Sequence, residues 1–525
     1  MDVCFSDPVS VIEQMMRPDF YPHPVNKIEQ IQTHTAYVLL TGDYAYKLKK
    51  PVNFGFLDYS SLAARKFYSE EELRLNRRTA KELYLAVVPI YRIRDGTLSL
   101  SGPGEIVEYA LKMRQFPSNS LFSDLLKKGE LTFELMGKLA HQVAKFHAGS
   151  VVNNKISSFG TVEKIRQAFD ENYRQSRPYI GRGQTERQLT QTQAYTDQAF
   201  TQWQERFQTR VRHQKIRECH GDLHLHNIVY WQNRVFLFDC IEFNEAFRFV
   251  DTMYDIAFTV MDCDAHQRSD LGNAFLNTYL EETGDWDGVG VLPLYLCRQA
   301  YVRAKVTSFL LDDPAVSSDQ KPLLQAKAQA YYTLAWHYTQ PRQGQIVLMS
   351  GLSGSGKSTV ARQLARQTGA IHIRSDAVRK HLTGIPLHQK GDSALYTSAM
   401  TQKTYDRLGQ LGIELAKLGN TVILDAKYDR HIARQAVLSQ ATKAMISVLI
   451  LVCQAPPTVL RQRLLHRTGD IADATAALLP RQQAIAEPLT SAESNSAIYL
   501  DTTNNVEETI QAVAAEVANR AAART

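Results

Sequence analysis

Between residues 31 and 114, apolar and polar positions alternate in short runs, "AYVLLTGDYAYKLKK", "YLAVVPIYRI", "LSL" and "IVEYALKMRQF", broken by turn residues such as Thr41-Gly42-Asp43 and Asp95-Gly96. Period-two alternation bounded by turns predicts an antiparallel sheet. The stretch "SLAARKFYSEEELRLNRRTAKEL" is rich in helix formers and free of Gly and Pro, so it predicts one helix inserted into that sheet. From Leu131 the pattern turns mostly helical. Phe200, Trp203, Phe207 and Val211 recur at steps of three and four, the spacing of a core-facing stripe rather than of a cofactor site. Pro341 and Gly344 in "YTQPRQGQ" end this pattern, and the main domain boundary is expected near residue 342. Beyond it, strands are expected at Ile346 to Ser350, "AIHIRSD", "TVILDA", "MISVLILVC" and "AIYLDTT", with helices between them. That alternation predicts a parallel sheet with right-handed crossovers.

At 525 residues the chain exceeds one hydrophobic core, and about one domain per 100 to 200 residues gives roughly three structural units. With 44% hydrophobic and 22% charged residues it has the composition of an ordinary soluble globular protein. No run approaches the ~18 apolar residues of a membrane span, and "MDVCFSDPVSVIEQMMRPDF" lacks the basic start and apolar core of a leader. A cytoplasmic location is therefore expected. Cys4, Cys219, Cys240, Cys263, Cys297 and Cys453 show no CxxC spacing, so neither a zinc site nor a redox pair is indicated, and buried free thiols are expected. A net charge of +6 is a small excess for so long a chain, and phosphorylated ligands account for it as well as nucleic acid does.

The stretch Gly351-Leu352-Ser353-Gly354-Ser355-Gly356-Lys357-Ser358-Thr359 satisfies G-x-x-x-x-G-K-[ST] between an expected strand and an expected helix. The glycines let backbone N–H groups converge on phosphate oxygens, the helix N-terminus adds a favourable dipole, Lys357 reaches the outer phosphates, and Ser358 can ligate magnesium. ATP and Mg2+ are the expected cofactors. In "IRSDAVRKHL", Asp376 is expected at the end of the second strand with Arg379 one helical turn on. A carboxylate at the ligand-facing end of a parallel strand can accept a hydroxyl proton while the arginine holds a substituent or the transferring phosphate. Otherwise Asp376 is a helix N-cap.

These motifs make residues 346–501 resemble the P-loop small-molecule and polynucleotide kinases, a group that includes gluconate kinase, polynucleotide 5′-hydroxyl kinase and zeta toxins. The resemblance implies Asp376 and Arg379 as the hydroxyl-activating pair and Asp425, in "VILDA", as a second acid near magnesium or acceptor. It also implies that "LRQRLLHRTGDIADAT" is a lid whose Arg463 and Arg467 neutralise charge on the transferred phosphoryl group.

A second constellation lies upstream. In "HGDLHLHNIVYWQNRVFLFDC", His220, Asp222, Asn227 and Asp239 have the spacing of H-x-D-x-x-x-x-N followed by a later metal acid. Phosphoryl transfer needs one carboxylate for the hydroxyl, and an amide with a second carboxylate to hold magnesium on the phosphates. The competing reading, a transition-metal site of His220, His224 and His226, would leave Asn227 unused. Residues 31–313 resemble the aminoglycoside phosphotransferase, choline kinase and fructosamine kinase superfamily, which has a protein-kinase-like fold. The resemblance implies Asp222 as base, Asn227 and Asp239 as magnesium ligands, His220 as support of the catalytic loop and Asp255 as its brace. Lys47, or Lys49 on the same strand face, is expected to pair with Glu72 or Glu71 and to meet the nucleotide, and the backbone of Leu111 to Met113 to bind adenine. The chain departs from the protein-kinase pattern in having Gly42 alone at the nucleotide-covering turn and "FDC" in place of D-F-G.

The expected fold class is thus an α+β protein-kinase-like part (1–341; N-lobe about 31–114, C-lobe about 115–341) followed by an α/β P-loop part with a parallel sheet (342–525). The expected function is ATP-dependent phosphotransfer to hydroxyl groups of small molecules, sugars or nucleotides, at two separate ATP sites. Two alternatives are an ATP-switched binding protein with a non-catalytic kinase-like domain, and a polynucleotide 5′-hydroxyl kinase, which the modest charge does not favour. The partners expected are ATP and a hydroxyl-bearing small molecule, without a membrane.

Overall fold

The computed structural model describes residues 8–55, 57–503 and 507–522. By contact the chain forms two compact units that interleave along it: Met1–Leu131, Lys145–Ile165 and Phe207–Thr259 make unit 1, and Thr132–Ala144, Arg166–Arg206 and Val260–Thr525 make unit 2.

Unit 1 is built on six strands, β1 (Glu29–Gln32), β2 (Ala36–Leu40), β3 (Tyr44–Lys49), β4 (Tyr84–Arg92), β5 (Leu98–Ser99) and β6 (Glu105–Arg114). They lie in the order β1-β2-β3-β6-β4-β5, every neighbouring pair antiparallel. Gly42 closes the β2–β3 turn at φ +100°, a left-handed conformation natural to glycine. The inserted helix spans Leu62–Ala80, and the Ser61 hydroxyl caps it by accepting from the Ala64 N–H. Its buried stripe is largely polar, with Arg65, Ser69, Glu72, Asn76 and Thr79 facing inward. Arg65 pairs with Glu108 of β6 at 2.8 Å, and Thr79 donates to the Leu237 carbonyl at 2.7 Å. Two smaller antiparallel pairs follow: β7 (Ile216–Glu218) with β10 (Phe249–Asp251), and β8 (Ile228–Trp231) with β9 (Arg234–Leu237). Gln232 and Asn233 join β8 to β9 with φ of 50° and 59°, the positive pair of angles that a tight two-residue hairpin turn requires.

Unit 2 contains a five-stranded parallel sheet in the order β12-β13-β11-β14-β15. Its strands are β11 (Gln345–Ser350), β12 (Ile371–Arg374), β13 (Thr421–Asp425), β14 (Ser447–Gln454) and β15 (Ala497–Asp501), all five at the places expected from the sequence. All six residues of β11 are buried, as in a parallel sheet covered on both faces. On one face Val347, Met349, Ile423, Leu449 and Leu451 pack against Val360 and Leu364 of the Lys357–Thr368 helix and Val513 of the Glu507–Ala522 helix.

The helical segments of unit 2 include Ser269–Thr283, which runs beside the outer edge of β12. Asn273 and Asn277 each donate to the Ala370 carbonyl at 3.0 Å, and the His372 N–H donates to Asn277 Oδ1 at 2.8 Å. Side-chain amides thus occupy the hydrogen-bonding positions that a further strand would take. The expected aromatic stripe is broken: Trp203 ends the Glu186–Gln202 helix and a new helix begins at Gln204. Phe200 and Phe207 are both buried, as a core-facing stripe requires.

Cys219, Cys240, Cys263, Cys297 and Cys453 are buried free thiols, and Cys4 lies outside the described residues. Among the described residues no helix is long and apolar enough to cross a membrane.

Arg434, fully buried in the His431–Lys443 helix, ties that helix to the segment from Glu487 to Glu493. It donates to both oxygens of Glu493 at 2.9 and 3.1 Å and to the carbonyls of Tyr428, Glu487 and Pro488. Removing one partner of a buried pair strands the other, at a cost of about 3–5 kcal/mol. Arg434→Ala is therefore expected to lower unfolding stability by that amount in urea denaturation, and Arg434→Lys, without the planar fork, by a smaller part of it.

Candidate active sites

Strand β11 delivers the chain into the glycine loop. Gly351 sits at φ +138°, and a Cβ there would lie 2.4 Å from the Cys453 carbonyl oxygen. Gly354 is at φ +81°, with the Leu460 carbonyl oxygen 2.8 Å from where its Cβ would be. These two positions exclude any side chain, which leaves backbone N–H groups to line the loop. Lys357 opens the following helix and donates to the Leu352 carbonyl at 2.8 Å. Burial lowers its pKa, with Asp425 and Asp376 pulling the other way.

A cavity of about 1500 Å³ opens over this loop. Lys357, Ser358, Thr359, Asp376, Arg379, Asp425, Arg463 and Arg467 all line it. Strand β12 ends at Arg374, and Asp376 occupies the first turn of the Ser375–Thr383 helix instead of the strand end. The shift matters little for reach, since that helix starts directly at the carboxyl edge of the sheet. Burial raises the Asp376 pKa, a tendency that Arg374 and Arg379 oppose and that Asp425 and Asp470 reinforce. Arg379 donates to the Leu395 carbonyl at 3.0 Å and stacks over the Tyr396 ring at 4.9 Å. Its buried Nε has no hydrogen-bond partner among the described residues.

Asp425, the last residue of β13, behaves in the opposite way. Burial alone would push its pKa up, but the His372 hydrogen bond at 3.0 Å and the charges of His372, Arg374 and Lys357 hold it down at about 2. Its Oδ1 makes no hydrogen bond to the described residues. An ionised, oxygen-only group lining the same cavity as the Ser358 hydroxyl suits Mg2+, which binds through one or two carboxylates together with substrate phosphates. Arg463 is tied to Gly354 O at 3.4 Å, Thr502 Oγ1 at 3.0 Å and the Thr502 carbonyl, and Arg467 to the carbonyls of Ala472 (3.0 Å) and Ala474.

Several residues of this site were not anticipated. His372 and Arg374 alternate in "IHIR", so both leave β12 on one face, and Arg374 joins Asp470 and Glu281. Polar side chains two apart in a short buried strand were the available sign. Gln482 accepts from the Ser353 N–H and donates to its hydroxyl, both at 3.1 Å, and no local pattern marks it.

Unit 1 gathers the second constellation. Lys47 Nζ donates to Glu72 Oε1 at 2.8 Å and to Asp239 Oδ1 at 2.5 Å. Lys49, two residues along β3, donates to Glu72 Oε2 at 2.7 Å and to Glu242, which also accepts from the Tyr59 hydroxyl. Glu72 thus takes both lysines, and Glu71 turns to Arg74 and Arg248. Burial favours a neutral Glu72, yet the two ammonium groups outweigh it and hold the pKa at about 2. The β8–β9 hairpin puts Asn227 and Asp239 at its base, because the Phe238 N–H donates to the Asn227 carbonyl at 3.0 Å. Asn227 Nδ2 donates to the Asp222 carbonyl and to Asp222 Oδ2, both at 3.0 Å. Asp255 accepts from the N–H groups of His220 and Gly221 at 3.1 and 2.7 Å and contacts His147 Nε2 at 2.9 Å. His220 Nε2 lies 2.9 Å from the Phe238 carbonyl.

The expected adenine-binding backbone differs. Leu111 to Met113 sit in the middle of the sheet, β6 being paired there to β3 on one side and β4 on the other. A strand laddered on both edges has no backbone to offer a base.

Residues 346–489 match the family model described as AAA domain. The chain is 29% identical over 462 residues to uncharacterized proteins of Mycobacterium tuberculosis and Mycobacterium bovis, spanning 86% of this chain and 90% of theirs. Solved structures similar to part of it include a sugar kinase from Janibacter sp. (26% identical, 32% of this chain and 92% of that one, TM-score 0.26). A gluconokinase from Sinorhizobium meliloti is 23% identical over 35% of this chain and 95% of its own, again at a TM-score of 0.26.

Lys357→Ala is expected to weaken ATP binding by about 10- to 100-fold, the worth of roughly 1.5–3 kcal/mol for a hydrogen bond to a charged group. Titration calorimetry with ATP and magnesium checks this.

Proposed function

We propose that the protein is an ATP-dependent phosphotransferase whose P-loop cavity passes the γ-phosphoryl group to a hydroxyl of a small molecule. The observation that carries this reading is the sharing of one cavity by two kinds of group. Lys357, Ser358 and Asp425 line it together with the glycine loop, and so do Asp376 and Arg379, whose Nε is unpartnered among the described residues. A pure hydrolase needs no second polar subsite of that kind, and the volume exceeds the usual upper range of about 1000 Å³ for a small-molecule pocket.

In this reading the acceptor oxygen attacks the γ-phosphorus as its proton passes to the Asp376 carboxylate. The bond between the γ-phosphorus and the bridging oxygen breaks, and ADP leaves with that electron pair. Bound magnesium would supply charge neutralisation on the phosphates, held by Ser358 and Asp425. Lys357 orients the outer phosphates, Arg379 holds the acceptor, and Arg463 and Arg467 exchange their carbonyl partners for the phosphoryl oxygens.

We extend the proposal to unit 1 as a second, protein-kinase-like ATP site of the aminoglycoside phosphotransferase type. The Lys47–Glu72 pair, the Asp222–Asn227 contact and the position of Asp239 support it. There Asp222 would serve as base, Asn227 and Asp239 as oxygen ligands of magnesium, and Lys47 as the phosphate contact.

Incubation with magnesium, γ-labelled ATP and a metabolite extract should move label to a metabolite. Asp376→Asn should reduce that transfer about 10²- to 10⁴-fold if unit 2 acts, and Asp222→Asn likewise for unit 1. Label released only as free phosphate, and lost in Lys357→Ala alone, would replace the kinase with an ATP-driven switch. Because Asp376 must be ionised to act and its pKa is raised, kcat/KM for the unit 2 reaction should rise with pH through a limb above the ordinary carboxylate range. That limb should be absent from the residual activity of Asp376→Asn.

A further inference from the structure

Outside both candidate sites, three potential metal ligands of unit 2 converge. His141 comes from the Phe133–Gly149 helix, Glu282 from the last turn of the Ser269–Thr283 helix, and His388 from the turn after the Ser375–Thr383 helix. His141 Nδ1 lies 2.9 Å from Glu282 Oε1, His388 Nε2 lies 3.2 Å from the same oxygen, and the three ligand atoms all fall within 4.8 Å of one another. We propose that His141, Glu282 and His388 form a binding site for a zinc-class divalent ion, which fastens the 385–392 turn to the helices beneath it.

The donor set points to that class of ion. Two imidazoles and one carboxylate suit zinc and its transition-metal neighbours, whereas Mg2+ and Ca2+ take nearly all-oxygen sites. Ligand atoms about 3.3 Å apart are what a tetrahedral ion with bonds of ~2.0–2.1 Å requires, and two of the three separations already lie near it. The fourth position would be left to water.

The surroundings hold the ligands in place. The Ser269–Thr283 helix ends on Gly284 at φ +65°, where a Cβ would press on the His381 ring at 2.9 Å. His381 Nε2 in turn lies 2.7 Å from the Glu281 carbonyl, so the turn bearing Glu282 is fixed from below. Glu282 already favours protonation of His141, whose pKa the hydrogen bond to that carboxylate raises. A metal ion would displace that proton.

What the ion would fasten is a wall of the P-loop cavity. Lys380 Nζ holds the carbonyls of Leu387 (2.7 Å) and Gln389 (2.8 Å), and the Gly391 N–H and Tyr396 hydroxyl both donate to Asp473. Gly391, Asp392 and Tyr396 line the cavity.

The test uses the full chain, stripped with chelator and titrated with Zn2+ against a chromophoric competitor. Wild type is expected to bind one ion at this site, with His141→Ala, Glu282→Gln and His388→Ala each weakening it at least about 10-fold. His226→Ala, in the other histidine-rich turn, should leave it unchanged. Zn2+ should also slow tryptic cleavage at the exposed Lys390 in wild type and not in His388→Ala. His388 is 67% exposed, so that variant is expected to keep the fold. Zinc affinity equal in wild type and all three variants, or no zinc effect on cleavage at Lys390, would overturn the proposal.

Discussion

An ionised group taken out of water must be compensated where it sits, and much of this protein is arranged around that constraint. At the carboxyl ends of β11, β12 and β13 the buried Lys357, His372, Arg374, Arg379 and Asp425 and the half-buried Asp376 lie close together, and their charges act on Lys357, Asp376 and Asp425. The compensation is unequal. Asp425 receives the His372 hydrogen bond and the nearby charges of Arg374 and Lys357, so it stays ionised. Asp376 has its two arginines set against burial and two further acids, and its proton is held more tightly. Two carboxylates on neighbouring elements are thereby given different chemical characters by their surroundings alone, one suited to a cation and one to a proton.

The same constraint shapes unit 1 by other means. Lys47, Lys49, Glu72, Asp239 and Glu242 form one chain of ion pairs, in which each acid except Asp239 is itself buried. Asp239 is the partly exposed end, its side chain 43% accessible. The Lys47–Asp239 contact therefore lies at the surface of the network, and its loss would leave the interior pairs covered. The inward polar stripe of the Leu62–Ala80 helix follows from this, because the helix must carry Glu72 to the lysines and Asn76 to the Cys240 N–H.

Strand positions were readable from the sequence because the physics that sets them is local. Period-two alternation marked β2 to β6, and short apolar runs between helices marked all five strands of the parallel sheet. The glycine loop was readable for a related reason, since Gly351 and Gly354 answer to contacts that only a missing Cβ permits. What escaped was non-local. The Leu62–Ala80 helix was anticipated from composition, but nothing in its pattern said that it buries polar rather than apolar residues. Lys47 and Lys49 could not be told apart by alternation, and in the structure both reach Glu72. The role given to Leu111 to Met113 failed because a strand's neighbours on both edges are fixed by sheet order, which a single strand does not encode. Arg374, Asp470 and Gln482 were missed because each meets its partner from a distant part of the chain.

The interleaving of the units is the least legible feature and has a direct consequence for the P-loop cavity. Asn273 and Asn277 satisfy the open edge of β12, and Glu281, one turn further along the same helix, meets Arg374 at 3.5 Å. Arg374 is only 6% exposed at its side chain and its other acidic partner is Asp470, in the segment that follows the arginine-bearing helix. A unit begun at residue 342 would keep every residue of the glycine loop and lose the helix. The His372 N–H would then lose its acceptor and Arg374 one of two carboxylates, in a place where uncompensated charge is costly. Because His372 and Arg374 set the protonation of Asp425 and Asp376, the helical segment helps to fix the chemistry of a cavity it does not line.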